Sequence, residues 1–156
     1  MKKLILLLLT VVIFFSSCNN NDDDEEVIIK EYILQEANNS GISGSIFFIG
    51  SSVYDDIFSI KVHLTGAELE ESYTANIHNN SLSNGGDVTY LLGDFYDIEN
   101  SDLMISSTNF DSLDRLVIEN EILDYPGLTT FDGHITIFNN DDPSIVVAEG
   151  NIGNNL

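Results

Sequence analysis

Hydrophobic and polar residues alternate along much of the chain, and short polar segments separate the alternating runs. From Phe58 to Leu64 every second residue is apolar, and Ser59, Lys61 and His63 stand between them. Successive side chains of a β-strand point to opposite faces of a sheet, so this pattern predicts a strand with one buried and one solvated face. We find no long stretch with the three- and four-residue spacing of an amphipathic helix.

The alternating runs predict about eight short strands, separated by turns rich in Asn, Gly, Asp and Ser. The candidate segments are 27–34, 42–49, 57–64, 72–78, 87–92, 102–106, 113–118, 134–138 and 145–148. Segment 113–123 is alternatively a short helix, and Pro126 and Gly127 are expected to form a turn. Short strands with a turn about every ten residues indicate an all-β fold, an antiparallel β-sandwich or barrel.

The N-terminal part departs from this pattern. Lys2 and Lys3 precede an apolar run over residues 4–15, and Ser16 and Ser17 follow it, which is the layout of a secretory signal peptide. As a helix the run would be about 18 Å long at about 1.5 Å per residue. The hydrocarbon core of a bilayer is about 30 Å thick. The run is therefore too short to remain as a transmembrane helix.

Cys18 follows this signal directly, and the sequence Phe-Ser-Ser-Cys at 15–18 resembles a bacterial lipobox. The resemblance implies cleavage before Cys18 and attachment of diacylglycerol to its sulfur, and two or more acyl chains hold a protein firmly on a membrane. Cys18 is the only cysteine, so it has no partner for an intrachain disulfide. An ordinary secreted protein and an uncleaved anchor are the alternatives, and neither explains a lone thiol at this position.

Residues 19–26 read Asn-Asn-Asn-Asp-Asp-Asp-Glu-Glu. Like charges repel one another, so this run is expected to be an extended, solvated tether. It also resembles the acid-rich export signal that follows the lipid cysteine in surface lipoproteins of the Bacteroidota. We therefore expect a signal peptide at 1–17, a lipidated cysteine and tether at 18–26, and one domain at 27–156. The expected location is the outer membrane, at the cell surface or alternatively at its periplasmic face.

The charge of the chain restricts its partners. The formal net charge is −21, and cleavage would remove Lys2 and Lys3, so the mature chain would carry −23. The positive residues left are Lys30, Lys61 and Arg115. Binding phosphates requires basic residues that displace counterions, so a nucleic-acid partner is disfavoured. Adsorption to an anionic membrane is disfavoured for the same reason.

Several blocks in order together resemble the CHRD domain, as found in bacterial lipoproteins. These blocks are 41–44, 64–66, 73–78, 85–88, 131–133 and 145–153, and they cover most of residues 31–153. The resemblance implies an extracytoplasmic β-sandwich with a Greek-key likeness to immunoglobulin-type and Cu/Zn superoxide dismutase folds. It implies no enzymatic activity.

Three histidines are the candidate ligands for a transition metal. A His-x-His pair on a strand would place two imidazoles on one face, about 6.5 to 7 Å apart. Where the CHRD family often carries such a pair, this chain has Asn76 and His78, and an amide is a poor ligand for zinc or copper. His134 and His63 are the other candidates, on other predicted strands. We expect His78 to be a polar residue bonded to a loop, and we predict no metal or other cofactor.

Calcium is a separate possibility, with Asp97, Glu99, Asp102 and the loop 139–142 as oxygen donors. Read as an EF-hand loop that begins at Asp97, the segment fails, because its sixth position is Asp102 rather than Gly and its twelfth is Thr108 rather than Glu. We therefore expect solvated turns.

No catalytic motif emerges from the sequence. There is no Gly-x-Ser-x-Gly and no cysteine after Cys18, so we predict that the protein is not an enzyme. The loop candidates Tyr54, Tyr96 and Tyr125 are able to stack on a glycan. The expected function is a lipid-anchored envelope protein that binds or scaffolds through loops, with an unknown ligand. The alternatives are a superoxide dismutase-like metal module and a glycan-binding accessory protein.

Overall fold

The computed structural model describes residues 25–68, 71–96, 104–110, 115–118 and 120–154, with the backbone alone for 95, 96 and 104–110. The signal peptide, Cys18 and most of the tether lie outside the described residues, so their assignment stays a prediction. The strands are β1 (Val27–Glu36), β2 (Ser43–Ser51), β3 (Phe58–Thr65), β4 (Ser72–Asn79), β5 (Val88–Tyr96), β6 (Met104–Phe110), β7 (Leu116–Ile118), β8 (Glu121–Leu123), β9 (Asp132–Asn139) and β10 (Asp142–Gly153), with one helix, α1 (Tyr125–Thr130).

Eight of these strands form one sheet in the order β5-β4-β9-β10-β1-β2-β3-β6, and β7 pairs with β8 in a small hairpin. Every strand pair is antiparallel. The two edge strands, β5 and β6, approach each other, so the sheet curls. The predicted antiparallel all-β fold is confirmed. Closure into a two-layer Greek-key sandwich stays a prediction.

The strand β1 joins the two halves of the sheet. Its residues from Val27 to Leu34 pair with β2, whereas Gln35 and Glu36 pair with β10. One half is therefore β1-β2-β3-β6 and the other is β5-β4-β9-β10. Only the last two residues of β1 therefore connect the two halves through this strand.

The inner faces of both halves meet in one hydrophobic cluster. Alternate residues along each strand are buried, as the period of two requires. The strand residues of this cluster include Tyr32, Leu34, Ile46, Phe48, Phe58, Ile60, Val62, Leu64, Tyr73, Ala75, Ile77, Ile135, Ile137, Ala148 and Ile152. The inward face predicted from Phe58 to Leu64 is confirmed.

The segment before β9 differs from the prediction. A turn was expected at Pro126 and Gly127, but both lie in the short helix α1. Asp124 caps this helix, since its Oδ1 accepts a hydrogen bond of 2.8 Å from the Gly127 amide. Proline is favoured in the first turn of a helix because its missing N–H has no intrahelical partner there. Buried Leu128 then fastens the helix to the core.

The alternative of a helix over 113–123 is wrong. The described part of this segment contains β7 and β8, in which Leu116 pairs with Leu123 and Ile118 with Glu121. Asn120, with φ of 70°, lies in the turn between them. Asparagine tolerates this left-handed conformation better than most residues, so the tight hairpin becomes possible.

The last strand is longer than the predicted segment 145–148. It begins at Asp142, and its pairing with β9 shifts register between Asp142 and Ala148. Pro143 lies in this irregular stretch, where a proline removes no ladder hydrogen bond that a regular strand would need. No helix within the described residues is long and apolar enough to cross a bilayer.

Candidate functional site

A cleft of about 420 Å³ lies beside the C-terminal end of β1. Three segments border it: the β1–β2 loop, the segment after β3, and the β9–β10 turn with the start of β10. Its lining residues are Asn38, Ser40, Ile42, Gly66, Glu68, Glu71, Asn139, Asp141, Asp142, Ile145 and Val147. We call it the distal cleft, because the ten residues of β1 separate it from the end where the N-terminal segment joins the domain.

Hydrogen bonds to β10 hold the β1–β2 wall of the distal cleft. Asn38 Nδ2 donates to the Val146 carbonyl over 2.9 Å, and Ser40 Oγ donates to the Val147 carbonyl over 2.6 Å. Asn38 and Asn39 both have φ of 55°, which asparagine tolerates. The loop is therefore fixed by polar side chains that sequence periodicity does not reveal.

The facing wall approaches this loop closely at Gly66, which has φ of 83°. A Cβ atom there would lie 2.3 Å from the Gly41 carbonyl oxygen. Only glycine therefore fits at this crossing without moving the backbone.

Glu71 lines the cleft, and the buried residue Tyr73 lies behind it. The Tyr73 hydroxyl donates to Glu71 Oε2 over 2.8 Å, and Asn139 Nδ2 donates to the same oxygen over 3.0 Å. Burial, reinforced by the hydrogen bond to Glu71, raises the pKa of Tyr73 to about 12. This tyrosine remains a donor at neutral pH and orients the Glu71 carboxylate.

The distal cleft is rich in hydrogen-bond acceptors. Glu68, Glu71, Asp141 and Asp142 contribute carboxylates, while Ile42, Ile145 and Val147 contribute apolar surface. Asp142 Oδ1 accepts from the Ser144 amide and hydroxyl, and Asn139 Oδ1 accepts from the Asp141 amide. Such a surface suits a ligand that donates hydrogen bonds or carries positive charge.

A second polar cluster lies on the outer face of β4 and β9, where His78 and His134 are directly opposite each other. Their rings stack with centroids 4.5 Å apart and an interplanar angle of 13°. The fold therefore brings together two of the three histidines that were candidate metal ligands in the sequence. Their contact was not predictable from spacing within either strand.

Both histidines bind the loop between β4 and β5. His78 Nδ1 donates to the Gly86 carbonyl over 3.1 Å, and His134 Nδ1 donates to the Asn80 carbonyl over 2.8 Å. A carbonyl oxygen only accepts, so each Nδ1 carries a proton. The expectation that His78 is a polar residue bonded to a loop is confirmed.

The remaining nitrogen of His78 is also engaged. Its Nε2 lies 2.7 Å from Thr136 Oγ1, and with the proton on Nδ1 it accepts from this hydroxyl. Burial lowers the pKa of His78, and the neighbouring His134 lowers it further, against the opposing effects of Gly86 and Asp87. His78 is therefore a neutral imidazole at neutral pH, with both ring nitrogens in hydrogen bonds.

His63 does not join this pair. It lies on β3, which β2, β1 and β10 separate from β9 in the strand order. Its Nε2 is buried without a hydrogen-bond partner, opposite Ser45 of β2. Among the described residues, no group of three or more His, Cys, Asp or Glu side chains is arranged to hold a metal ion.

The other candidate residues have different fates. Asp97, Glu99 and Asp102 lie outside the described residues. The prediction that Tyr96 is a loop residue is wrong, because its backbone ends β5 opposite Ser72. Tyr54 is a half-exposed loop residue, as expected. The prediction that Tyr125 is an available loop residue is wrong.

Tyr125 is only 7% exposed, because its ring packs against the backbone at Gly50. A Cβ atom at Gly50 would lie 2.6 Å from this ring. Burial also raises the pKa of Tyr125. The tyrosine belongs to the core contact of α1, so it cannot stack on a glycan.

The distal cleft was missed by sequence reasoning except for the loop 139–142, proposed for its oxygen atoms. The facing walls come from residues between Asn38 and Glu71, at least 68 residues before Asn139 in the chain. No family model matches the chain, and no curated protein matches it, so similarity to known proteins does not identify the site.

Proposed function

We propose that the chain is a non-enzymatic, lipid-anchored protein of the bacterial cell envelope that binds a ligand in the distal cleft. In this proposal acylated Cys18 holds the protein in the outer membrane, with the CHRD-like domain at the cell surface. The ligand is of a kind that donates hydrogen bonds or carries positive charge, such as a hydroxyl-rich glycan or a cationic protein segment.

The observation that carries this proposal is the arrangement of the two ends of β1. The acidic tether joins the domain at Val27, and the distal cleft lies beyond Glu36. Ten residues of extended strand span about 30 Å at about 3.3 Å per residue. A domain held through its N-terminus would therefore present the cleft on the side away from the membrane.

The chemistry of the distal cleft supports a binding role. Carboxylates alone do not indicate catalysis in so acidic a chain. Here Glu71 already accepts hydrogen bonds from Tyr73 and Asn139, and Asp142 accepts one from the Ser144 hydroxyl. These carboxylates are oriented acceptors, and an oriented acceptor favours a donor ligand because its rotational freedom is already restricted.

Anchoring is tested with Cys18→Ser in the producing bacterium. We expect loss of radiolabelled palmitate incorporation and release from the membrane fraction, because the acylated sulfur is removed. Asn20→Ser, two residues away in the tether, is the matched control and should stay labelled and membrane-bound. Unchanged labelling of the Cys18→Ser variant would contradict the anchor.

Ligand binding is tested by applying the full-length chain to glycan arrays and to a panel of lysine-rich peptides. For any ligand found, Asp141→Asn should weaken binding about tenfold, because charge-assisted hydrogen bonds contribute about 1.5–3 kcal/mol each. Glu121→Gln removes another exposed carboxylate, on the β7–β8 hairpin, and should leave affinity unchanged. Equal effects of both variants would show that net charge, and not the cleft, governs binding.

A further inference from the structure

The exposed apolar residues of the domain are concentrated at the end opposite the distal cleft. Of the twelve large apolar side chains that are most exposed in the described structure, eight lie at this end, with exposed fractions between 41% and 63%. We call them the tether-end patch. They are Val27, Ile28, Ile29, Val53, Tyr54, Ile57, Val117 and Ile122.

One backbone and one side-chain hydrogen bond join separate segments at this end. The Ser52 amide donates to the Glu26 carbonyl over 2.9 Å, and the Glu26 amide donates to Ser52 Oγ over 2.9 Å. These bonds hold the β2–β3 loop, with Val53 and Tyr54, beside the first residues of β1. The patch therefore belongs to the fixed part of the domain.

The β7–β8 hairpin completes the patch. Val117 and Ile122 are cross-strand partners and are both exposed. A depression of about 230 Å³ that includes Asp56, Phe58 and Ile122 in its lining places the hairpin beside the start of β3. Exposed apolar clusters of this kind mark sites that contact a partner or a membrane.

We infer that the tether-end patch rests on the lipid surface to which the protein is anchored. This inference rests on the proposed acylation of Cys18. Eight residues separate Cys18 from Val27, and even when fully extended they span about 30 Å at most. Such a short tether keeps the patch at high effective concentration near the bilayer, so a weak apolar contact suffices.

The charges around the patch define the lipid that it suits. Glu25, Glu26, Asp55 and Asp56 lie at the same end, where Arg115 lines the depression together with Asp56. Carboxylates at the rim remain hydrated while apolar side chains enter the headgroup boundary. An anionic surface repels this rim, so the patch is expected to prefer zwitterionic lipid.

The absence of tryptophan from the sequence allows a direct test. The lipidated chain that begins at Cys18, carrying Tyr54→Trp, is incorporated into phosphatidylcholine vesicles with brominated acyl chains. We expect its fluorescence to fall by about half relative to vesicles without bromine, because interfacial side chains enter about 5–10 Å into the boundary region. Replacing part of the lipid by phosphatidylglycerol should reduce this quenching.

Ile145→Trp is the matched control, since Ile145 is also exposed but lines the distal cleft. Its fluorescence should be unaffected by the brominated lipid. If both variants float with the vesicles and neither is quenched, the inference is overturned while the anchor stands. If neither floats, the anchor and the inference both fail. Concentration-dependent blue shift of the Tyr54→Trp variant without vesicles would instead assign the patch to a second copy of the chain.

Discussion

The outer faces of β1 and β9 show opposite relations between polarity and burial. On β9 the polar residues His134 and Thr136 are only 4% and 6% exposed. On β1 the apolar residues Ile29 and Ile33 are each 60% exposed. Hydrophobicity alone would predict the reverse. The difference teaches that a loop packs on an outer face whose side chains form hydrogen bonds with it. Apolar side chains on an outer face without such a loop remain exposed to solvent.

The cover on β9 is the segment between β4 and β5. His78 and His134 bind its carbonyls, and Asn151 Oδ1 of β10 accepts from the Leu82 amide over 2.7 Å. Gly85, with φ of 65°, allows the segment to turn back toward β5. No comparable set of side-chain bonds to a covering loop is described on the outer face of β1.

The largest expected difference in stability is between a substitution on the inner face of β9 and one on the outer face of β1. Ile135→Ala should lower the free energy of unfolding by about 2–5 kcal/mol, because it leaves a cavity in the core. Ile33→Ala removes the same atoms from an exposed position and should cost about 0.5 kcal/mol or less. Urea denaturation followed by circular dichroism measures both, and equal losses would contradict the described burial.

His134→Ala tests whether polar burial on β9 depends on the loop. It removes a buried ring together with its hydrogen bond to the Asn80 carbonyl, and that bond alone contributes about 0.5–1.5 kcal/mol, so the loss in urea denaturation should be about 1–3 kcal/mol. His63→Ala is the matched change on β3, where Nε2 has no partner, and should cost less. A larger cost for His63→Ala would refute the assignment of His134 as a loop-holding residue.

Asn151→Ala should act more locally. The Leu82 amide loses its acceptor, so stability should fall by about 1 kcal/mol. Hydrogen exchange at Leu82 should accelerate, while exchange in the inner strands should change only as far as global stability does. Asn154→Ala, which removes a bond to the Thr130 carbonyl instead, should leave exchange at Leu82 unchanged.

The smallest expected effect is a dependence of stability on pH. Burial lowers the pKa of His78 in the folded state below its unfolded value of about 6.5. The unfolded chain therefore binds the proton first as pH falls. Stability from this residue is fully present above about pH 6.5 and is lost as pH falls toward the folded pKa.

His78→Asn provides the comparison for this pH effect. The amide retains a donor for the Gly86 carbonyl but does not titrate. The urea midpoints of the unsubstituted protein and of His78→Asn should converge or cross as pH falls from 7 toward 5. This range brackets the unfolded pKa of histidine, about 6.5. Parallel curves over this range would show that His78 does not couple folding to protonation.

The sequence predicted the strands and their inner faces well, because alternation is a local signal. Phe58, Ile60, Val62 and Leu64 are all buried as the period of two requires. The helix α1 was missed because Pro126 and Gly127 also suit a turn. Asp124, two residues before Pro126, was the sequence signal that could have predicted the start of this helix, because aspartate is a favoured N-cap residue.

The sites were less predictable than the strands. Sequence spacing cannot show that β10 lies between β1 and β9, or that His78 lies opposite His134. These relations follow from pairing between segments far apart in the chain, as does the distal cleft. Tyr125 shows the same limit, since its burial depends on the absence of a side chain at Gly50.

The pairing of β1 with β2 has a mechanical consequence. A pull transmitted through Glu26 would run lengthwise along β1, and eight residue pairs between β1 and β2 would share the load. Loading in shear strains these hydrogen bonds together, whereas peeling from an edge would break them one after another. Only Gln35 and Glu36 also pair with β10, so the resistance of the domain to drag or tension would come mainly from the ladder between β1 and β2.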